Sequence, residues 1–252
     1  MSPDLIGIGI VAPAFVAGLL VLATHVPMGQ RVLARGIVFI DLAIAQIAGL
    51  GVIAADMLGW EPQGWAVQIA AVTAALLGAM LLTYTEKRWP EVQEALIGVL
   101  FVLAASGGLL LLANNPHGGE RLKDLLVGQI LWVGYAQLLP LALLTAAIAA
   151  WWLGRRGHLG RMGFYIIFAL AVTASVQLVG VYLVFASLII PPLAARLWPR
   201  PWRLAVAYGL GAAGYALGLG VSLWADVPAG AMVVWCLALL GMGLAALAPA
   251  VK

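Results

Sequence analysis

The chain reads as long apolar runs divided by short polar punctuation. Runs with few or no charged residues lie at about 5–24, 37–55, 64–84, 95–113, 125–153, 162–195, 204–223 and 227–248. A helix crosses the hydrocarbon core with roughly 20 apolar residues, so each run is long enough for a crossing. Lipid offers backbone groups no partners, which leaves helices or closed barrels. Barrel strands alternate apolar and polar residues, and these runs do not. The pattern predicts an all-α fold, a polytopic transmembrane helix bundle forming a single domain over 1–252.

The run 162–195 is longer than one untilted helix needs. Gln177-Leu178-Val179-Gly180 puts a polar side chain and a glycine inside it, so a break is expected there. Basic residues orient the bundle, because cytoplasmic loops retain Lys and Arg. Arg31 and Arg35 fall in the first predicted loop, Lys87 and Arg88 in the third, and Arg155, Arg156 and Arg161 after the fifth run. The second loop has Asp56 and Glu61 and no basic residue, and neither has the last loop, around Asp226-Val227-Pro228. This alternation predicts an N-terminus outside and a cytoplasmic C-terminus. Arg196, Arg200 and Arg203 obey it only if 162–195 crosses twice or enters and returns, which favours nine spans over eight. Asp4 stands where a cleaved signal carries basic residues, so residues 5–24 are expected to stay as the first span.

Composition agrees with the pattern. The apolar fraction is 64%, charged residues make up 9%, and the mean hydropathy is +1.08. A water-soluble fold of that composition could not cover its surface with polar groups. Cys236 is the only cysteine, which excludes a disulfide framework, and the net charge of +3 is too small and dispersed for nucleic-acid binding. Trp60, Trp65, Trp89, Trp132, Trp151, Trp152, Trp198, Trp202 and Trp224 cluster near run ends as an interfacial belt. Gly214 and Gly218 form a small-xxx-small pair suited to close helix packing.

Ionisable groups at membrane depth are the functional candidates. Asp41 lies early in the second run, with Gln46 a turn and a half further on. Together they either line a polar path for a cation, or Asp41 pairs with Arg35 near the interface. Glu91 and Glu94 open the fourth run on one face; they suit a helix N-terminus as well as a transport role. Gln129 and Gln177 suit helix bridging. His25, His117 and His158 are placed at run ends or in loops, without the convergent ligands of a tight zinc cage.

Five segments in order resemble the membrane permease of the zinc, manganese and iron ABC importers (the ABC-3 family). They are Val26-Pro27-Met28-Gly29 through Asp41 to Gly51, Glu94-Ala95-Leu96-Ile97-Gly98, Asp124-Leu125-Leu126-Val127-Gly128-Gln129-Ile130-Leu131, Val179 to Leu197 with its Ile189-Ile190-Pro191, and Asp226-Val227-Pro228-Ala229-Gly230. The family carries a His four residues after the Asp of its second span. Here position 45 is Ala; counted from Pro27, Gln46 falls at the His and Leu42 at the Asp. The family's acidic coupling segment is replaced by a short basic loop after Trp152, which leaves Arg155, Arg156, His158 and Arg161 to meet an ATPase.

The resemblance implies a permease subunit in the bacterial plasma (inner) membrane, acting as a homodimer. It would carry a divalent transition metal, zinc favoured over manganese or iron, past Asp41, Gln46 and Glu94. No Walker A pattern occurs in the chain, so an ATP-binding subunit and an external solute-binding protein are the implied partners. No cofactor is expected on this chain itself, only the transported ion and ATP on the partner. The alternatives are a secondary cation transporter or exporter using intramembrane carboxylates, and an intramembrane hydrolase using Ser106, which has no histidine at comparable depth as its base.

Overall fold

A computed structural model of the chain describes residues 3–60, 64–112, 115, 118–154 and 160–247, with side chains described from residue 9 onward except that of Arg121. The helices are α1 (Pro3–Arg35), α2 (Ile40–Met57), α3 (Trp65–Arg88), α4 (Gln93–Leu112), α5 (Gly118–Val127), α6 (Tyr135–Gly154), α7 (Arg161–Val179), α8 (Val181–Ala195), α9 (Arg203–Ala225) and α10 (Ala229–Ala246). Short 3-10 turns at Pro90–Val92 and Ile130–Trp132 precede α4 and α6. No strand occurs among the described residues. Eight helices are long and apolar enough to cross a membrane, and α8 is a shorter apolar helix.

Two predicted boundaries are corrected. The first crossing does not stop near residue 24: α1 runs on through Pro27 to Arg35, so Arg31 and Arg35 lie in its last turns rather than in a loop. Packing overrides proline here, since His25, Val26, Met28 and Val32 are all buried. Gly29 lets α8 approach; a Cβ there would overlap the Leu188 carbonyl. The guanidinium of Arg31 sits over the Trp152 ring at 3.9 Å, and that of Arg35 over Phe164 at 4.4 Å.

The run 125–153 is also not one helix. It divides into the end of α5, a turn at Gly128 and the separate helix α6. In α5, Leu122, Leu125 and Leu126 alternate with Glu120, Lys123 and Asp124, an amphipathic pattern suited to the edge of a bundle.

The break expected within 162–195 is present at Gly180, whose φ is 82°. The chain reverses there. The Arg35–Phe164 contact sets the start of α7 beside the end of α1. Helix α9 is antiparallel to α1, because Tyr208 Oη donates to the Ala23 carbonyl at 3.1 Å while Tyr215 packs over Gly18. Ser187 on α8 lies 2.9 Å from Tyr215 Oη, while Ile190 and Ala194 pack on Gly241. Helix α8 therefore runs back toward the end that holds Arg35, carrying Arg196, Arg200 and Arg203 with it.

Gly180 meets Gly128 backbone to backbone. A Cβ on Gly128 would overlap Val179, and one on Gly180 would overlap Val127 and Gly128. Both glycines have positive φ, 68° and 82°. Their N–H groups remain satisfied, Gly128 by Asp124 O at 2.9 Å and Gly180 by Val176 O at 2.8 Å, as buried irregular backbone requires. Gly214 and Gly218 pack on Leu237 and Val233 of α10, as the small-residue pair implies. Trp65, Trp132 and Trp224 are largely exposed at helix ends, as a belt demands.

Two measurements follow from this arrangement. A cysteine replacing Arg200 is expected to react with an impermeant maleimide from the same membrane face as one replacing Arg88, and from the face opposite to one replacing Asp226. Labelling of position 200 from the Asp226 face would rule out the return at Gly180. Gly180→Ala should cost at least about 1–2 kcal/mol from backbone conformation alone, read as a lower thermal midpoint in detergent. Gly209→Ala, where an added Cβ meets nothing within 4 Å, should leave that midpoint unchanged.

Candidate functional site

Helix α2 holds two of the three pathway candidates and is enclosed on most sides. Ile44 and Ile47 pack on Gly78 of α3, and Gly51 on Ala70 and Ala74. Leu50 and Ile53 pack on Gly107 and Gly108 of α4, and Gly49 faces Leu125 of α5. Asp41 falls on the remaining side, which α2 turns toward α7 and α8. It is 1% exposed, and neither carboxylate oxygen has a hydrogen-bond partner. The pairing of Asp41 with Arg35 is therefore absent.

Gln46 is five positions on, about 140° around the helix, and half-buried. It lines a narrow crevice between α2, α4, α5 and the start of α8, whose walls include Gly49, Ala104, Gly108, Leu125 and Val181. Small residues on α2 and α4 make the space, and Leu122 and Leu125 of α5 close over it. Asp41 and Gln46 thus face different compartments of the bundle. A single ion does not touch both at once in this conformation.

Glu94 lies at the same end of α2 as Asp41. Its Oε1 accepts a hydrogen bond from Phe39 N at 3.2 Å. Phe39 is the N-cap of α2 and offers no side-chain cap of its own, so α4 supplies the missing acceptor to the positive end of a neighbouring helix. The other carboxylate oxygen, Oε2, is buried without a partner. Glu91 is exposed in the preceding turn and does not join Glu94 in a site.

One buried group escaped the sequence reading. His25 was expected at the end of a span, but the extension of α1 places it inside the helix, fully buried. Its Nδ1 is 2.9 Å from the Val21 carbonyl and 3.0 Å from Thr24 Oγ1. A carbonyl only accepts, so Nδ1 carries the proton and Nε2 holds a lone pair, which has no partner. Read as a turn, Val26-Pro27-Met28-Gly29 hid this; the seven-residue spacing of His25 from Gly18, on the face that meets α9, was the available signal.

The remaining candidates divide. Arg161 Nε pairs with Glu86 Oε2 at 3.5 Å, which ties the start of α7 to the end of α3. Gln93 Nε2 donates to Leu82 O at 3.1 Å and to Tyr165 Oη at 3.3 Å, drawing α4 into the same junction. Arg155, Arg156, His158 and His117 lie outside the described residues. Ser106 Oγ donates to the Val102 and Leu103 carbonyls of its own helix, a structural role. Among the described residues, no three His, Cys, Asp or Glu side chains converge into a metal cage.

Glu94→Ala should lower stability by about 1 kcal/mol through loss of the cap on α2, measured as the thermal midpoint of the solubilised chain. Glu94→Gln keeps an acceptor and should lose less. Equal midpoints for all three proteins would show that the Phe39 contact carries no stability.

Comparison with known proteins gives three findings. The model of the ABC 3 transport family matches residues 8–159 and 153–247. Over 228 residues the chain is 27% identical to the manganese transport system membrane protein MntC of Halalkalibacterium halodurans, covering 82% of this chain and 76% of that protein. Among solved structures, PsaBC from Streptococcus pneumoniae in complex with Fab aligns with a TM-score of 0.74 at 22% identity, over 96% of this chain and 91% of that one. That likeness shows a shared fold.

Proposed function

Because the chain belongs to the ABC 3 transport family, we propose that it is the membrane-spanning permease of an ATP-binding-cassette importer for a divalent transition metal. The observation that carries this reading is the family match, which covers the two halves of the chain without a gap. It is supported by a bundle whose basic residues gather at one end. Arg35, Lys87, Arg88, Arg161, Arg196 and Arg200 are exposed there, which makes that end the cytoplasmic one. The chain then starts outside and ends inside the bacterial plasma membrane.

An ATP-binding subunit would dock at this basic end, around Arg161 and the loop with Arg155, Arg156 and His158. A solute-binding protein would deliver the ion at the opposite end, near Asp56 and Asp226. Two copies of the chain would flank the path. Closure of the ATPases tilts α7 through the Arg161–Glu86 junction, and the ion passes Gln46 and then Asp41 in succession rather than resting on both.

Manganese now stands ahead of zinc. The candidate groups on α2 and α4 are oxygen donors, two carboxylates and one amide, and such hard ligands suit manganese better than zinc. The name of the 27%-identical relative points the same way. A weak oxygen site also releases its ion readily, which conduction needs.

The test is metal uptake into vesicles holding the chain and its ATPase subunit. Manganese uptake should require ATP, and Asp41→Ala and Gln46→Ala should each reduce it by about tenfold or more. Gln46→His should raise zinc uptake relative to manganese. Uptake driven by a proton gradient without the ATPase would instead favour a secondary transporter using Asp41. Wild-type uptake by both alanine variants would remove these residues from the path.

A further inference from the structure

Residues 125–225 contain no Asp or Glu, yet Arg155, Arg156, Arg161, Arg196, Arg200 and Arg203 all lie in that stretch. Arg161 finds Glu86 on α3. Among the described residues no carboxylate pairs with Arg196, Arg200 or Arg203. These three belong to the turn between α8 and α9, Arg196-Leu197-Trp198-Pro199-Arg200-Pro201-Trp202-Arg203.

The turn is ordered by its own backbone. Trp198 N donates to Ala195 O at 3.0 Å and Trp202 N to Pro199 O at 2.9 Å. Arg203 Nε donates to the Trp198 carbonyl at 2.9 Å, which folds the guanidinium back over the turn. The Trp198 indole nitrogen is buried and has no acceptor. An indole N–H only donates, so the group missing from this turn is an acceptor.

The start of α9 has the same deficit. This helix is 23 residues long; its N-cap, Trp202, makes no side-chain cap bond and its first turn holds no acidic residue. The first N–H groups of a helix lack intrahelical partners and form its positive end. Arg203, at the first helical position, adds a cation where an anion is favoured. The retention of positive charge on the cytoplasmic side accounts for arginines here. It does not account for an orphaned indole N–H beside an uncapped helix.

We propose that the α8–α9 turn is a binding site for the phosphate of an anionic phospholipid, held by Arg196, Arg200 and Arg203 with the Trp198 indole N–H as a further donor. The phosphate supplies the acceptor that the turn lacks and the negative charge that the start of α9 lacks. A lipid fits better than a soluble anion because exposed apolar side chains flank the turn on both sides. Leu193 and Leu197 lie at the end of α8, and Trp202, 63% exposed, and Leu204 at the start of α9. They offer acyl chains a surface directly beside the headgroup. The inference needs only membrane insertion and stands whether or not the chain transports a metal.

The experiment is native mass spectrometry of the purified full-length chain, released from mixed phosphatidylglycerol and phosphatidylcholine nanodiscs. The wild-type chain should retain phosphatidylglycerol in preference to phosphatidylcholine. The R196Q/R200Q double variant should retain about fivefold less, in keeping with the loss of two headgroup-binding charges. Trp198→Phe, which keeps the ring and removes the donor, should fall between the two. K87Q/R88Q removes the same charge at the same end of the bundle and should bind as wild type. Thermal profiles in pure phosphatidylcholine confirm that each variant is folded, and a variant that fails this check is replaced by R196K/R200K titrated against wild type.

Equal retention of the two lipids by the wild type would overturn the proposal. So would a K87Q/R88Q loss as large as that of R196Q/R200Q, which would make the attraction diffuse. Displacement of phosphatidylglycerol by millimolar inorganic phosphate would reassign the turn to a soluble anion. Loss of ATPase-subunit co-purification in R196Q/R200Q, with lipid retention unchanged, would reassign it to a protein partner.

Discussion

Gly128 and Gly180 touch through their backbones, and the paths of four helices are set by that contact. In a hydrocarbon solvent a chain can leave helical geometry only where every freed N–H and C=O is satisfied or packed against protein. Gly128 ends α5 and Gly180 separates α7 from α8, so each break covers the other. Gly230 of α10 completes the enclosure, since a Cβ there would press on the Val127 carbonyl. Any side chain at 128 or 180 forces the two turns apart. The reversal that brings Arg196, Arg200 and Arg203 back to the Arg35 end therefore rests on two hydrogen atoms standing where Cβ atoms would otherwise be.

Polar groups in the rest of the bundle follow a division of labour. Some are closed structural pairs, such as Ser187 with Tyr215 and Gln93 with Tyr165. Others are buried with open valences: Asp41, His25 Nε2, and the hydroxyls of Thr173 and Ser175 on α7. The closed pairs join helices, whereas the open ones lie along α1, α2 and α7 in the interior. A stable apolar core has no reason to keep unsatisfied carboxylate oxygens, so Asp41 is the group whose presence most needs a transported ion or a proton. Gln46 is different in kind, because its crevice is formed by the small residues opposite it.

The helical bundle, the break at Gly180 and the close approach at Gly214 and Gly218 were legible from run lengths, charge placement and residue size. The length of α1 was not. Proline and glycine at 27 and 29 read as a turn, because local propensity says nothing of the α8 backbone that needs Gly29 for contact. The division of 125–153 was hidden for the opposite reason: hydropathy does not register a positive φ at Gly128. At the site, Asp41 and Glu94 were visible as charges in apolar runs. That Glu94 caps α2, and that Gln46 and Asp41 face apart, depends on packing between α2 and α4 that no linear spacing encodes. The zinc preference came with the resemblance and yields to the oxygen donors actually present.

The junction of Arg161 with Glu86 and of Gln93 with Tyr165 gives α7 the character of a lever. Its near end is pinned to α3 and α4, while its far end rests on Gly128 through Gly180. The arm is about 28 Å long, so a tilt of about 5° at the pinned end carries the far end about 2.5 Å. That displacement is comparable to the width of a methyl group, the size of side chain that the glycine contact excludes. A modest rotation delivered at the basic end is thus enough to part the two turns beside the Gln46 crevice, with no helix having to unwind.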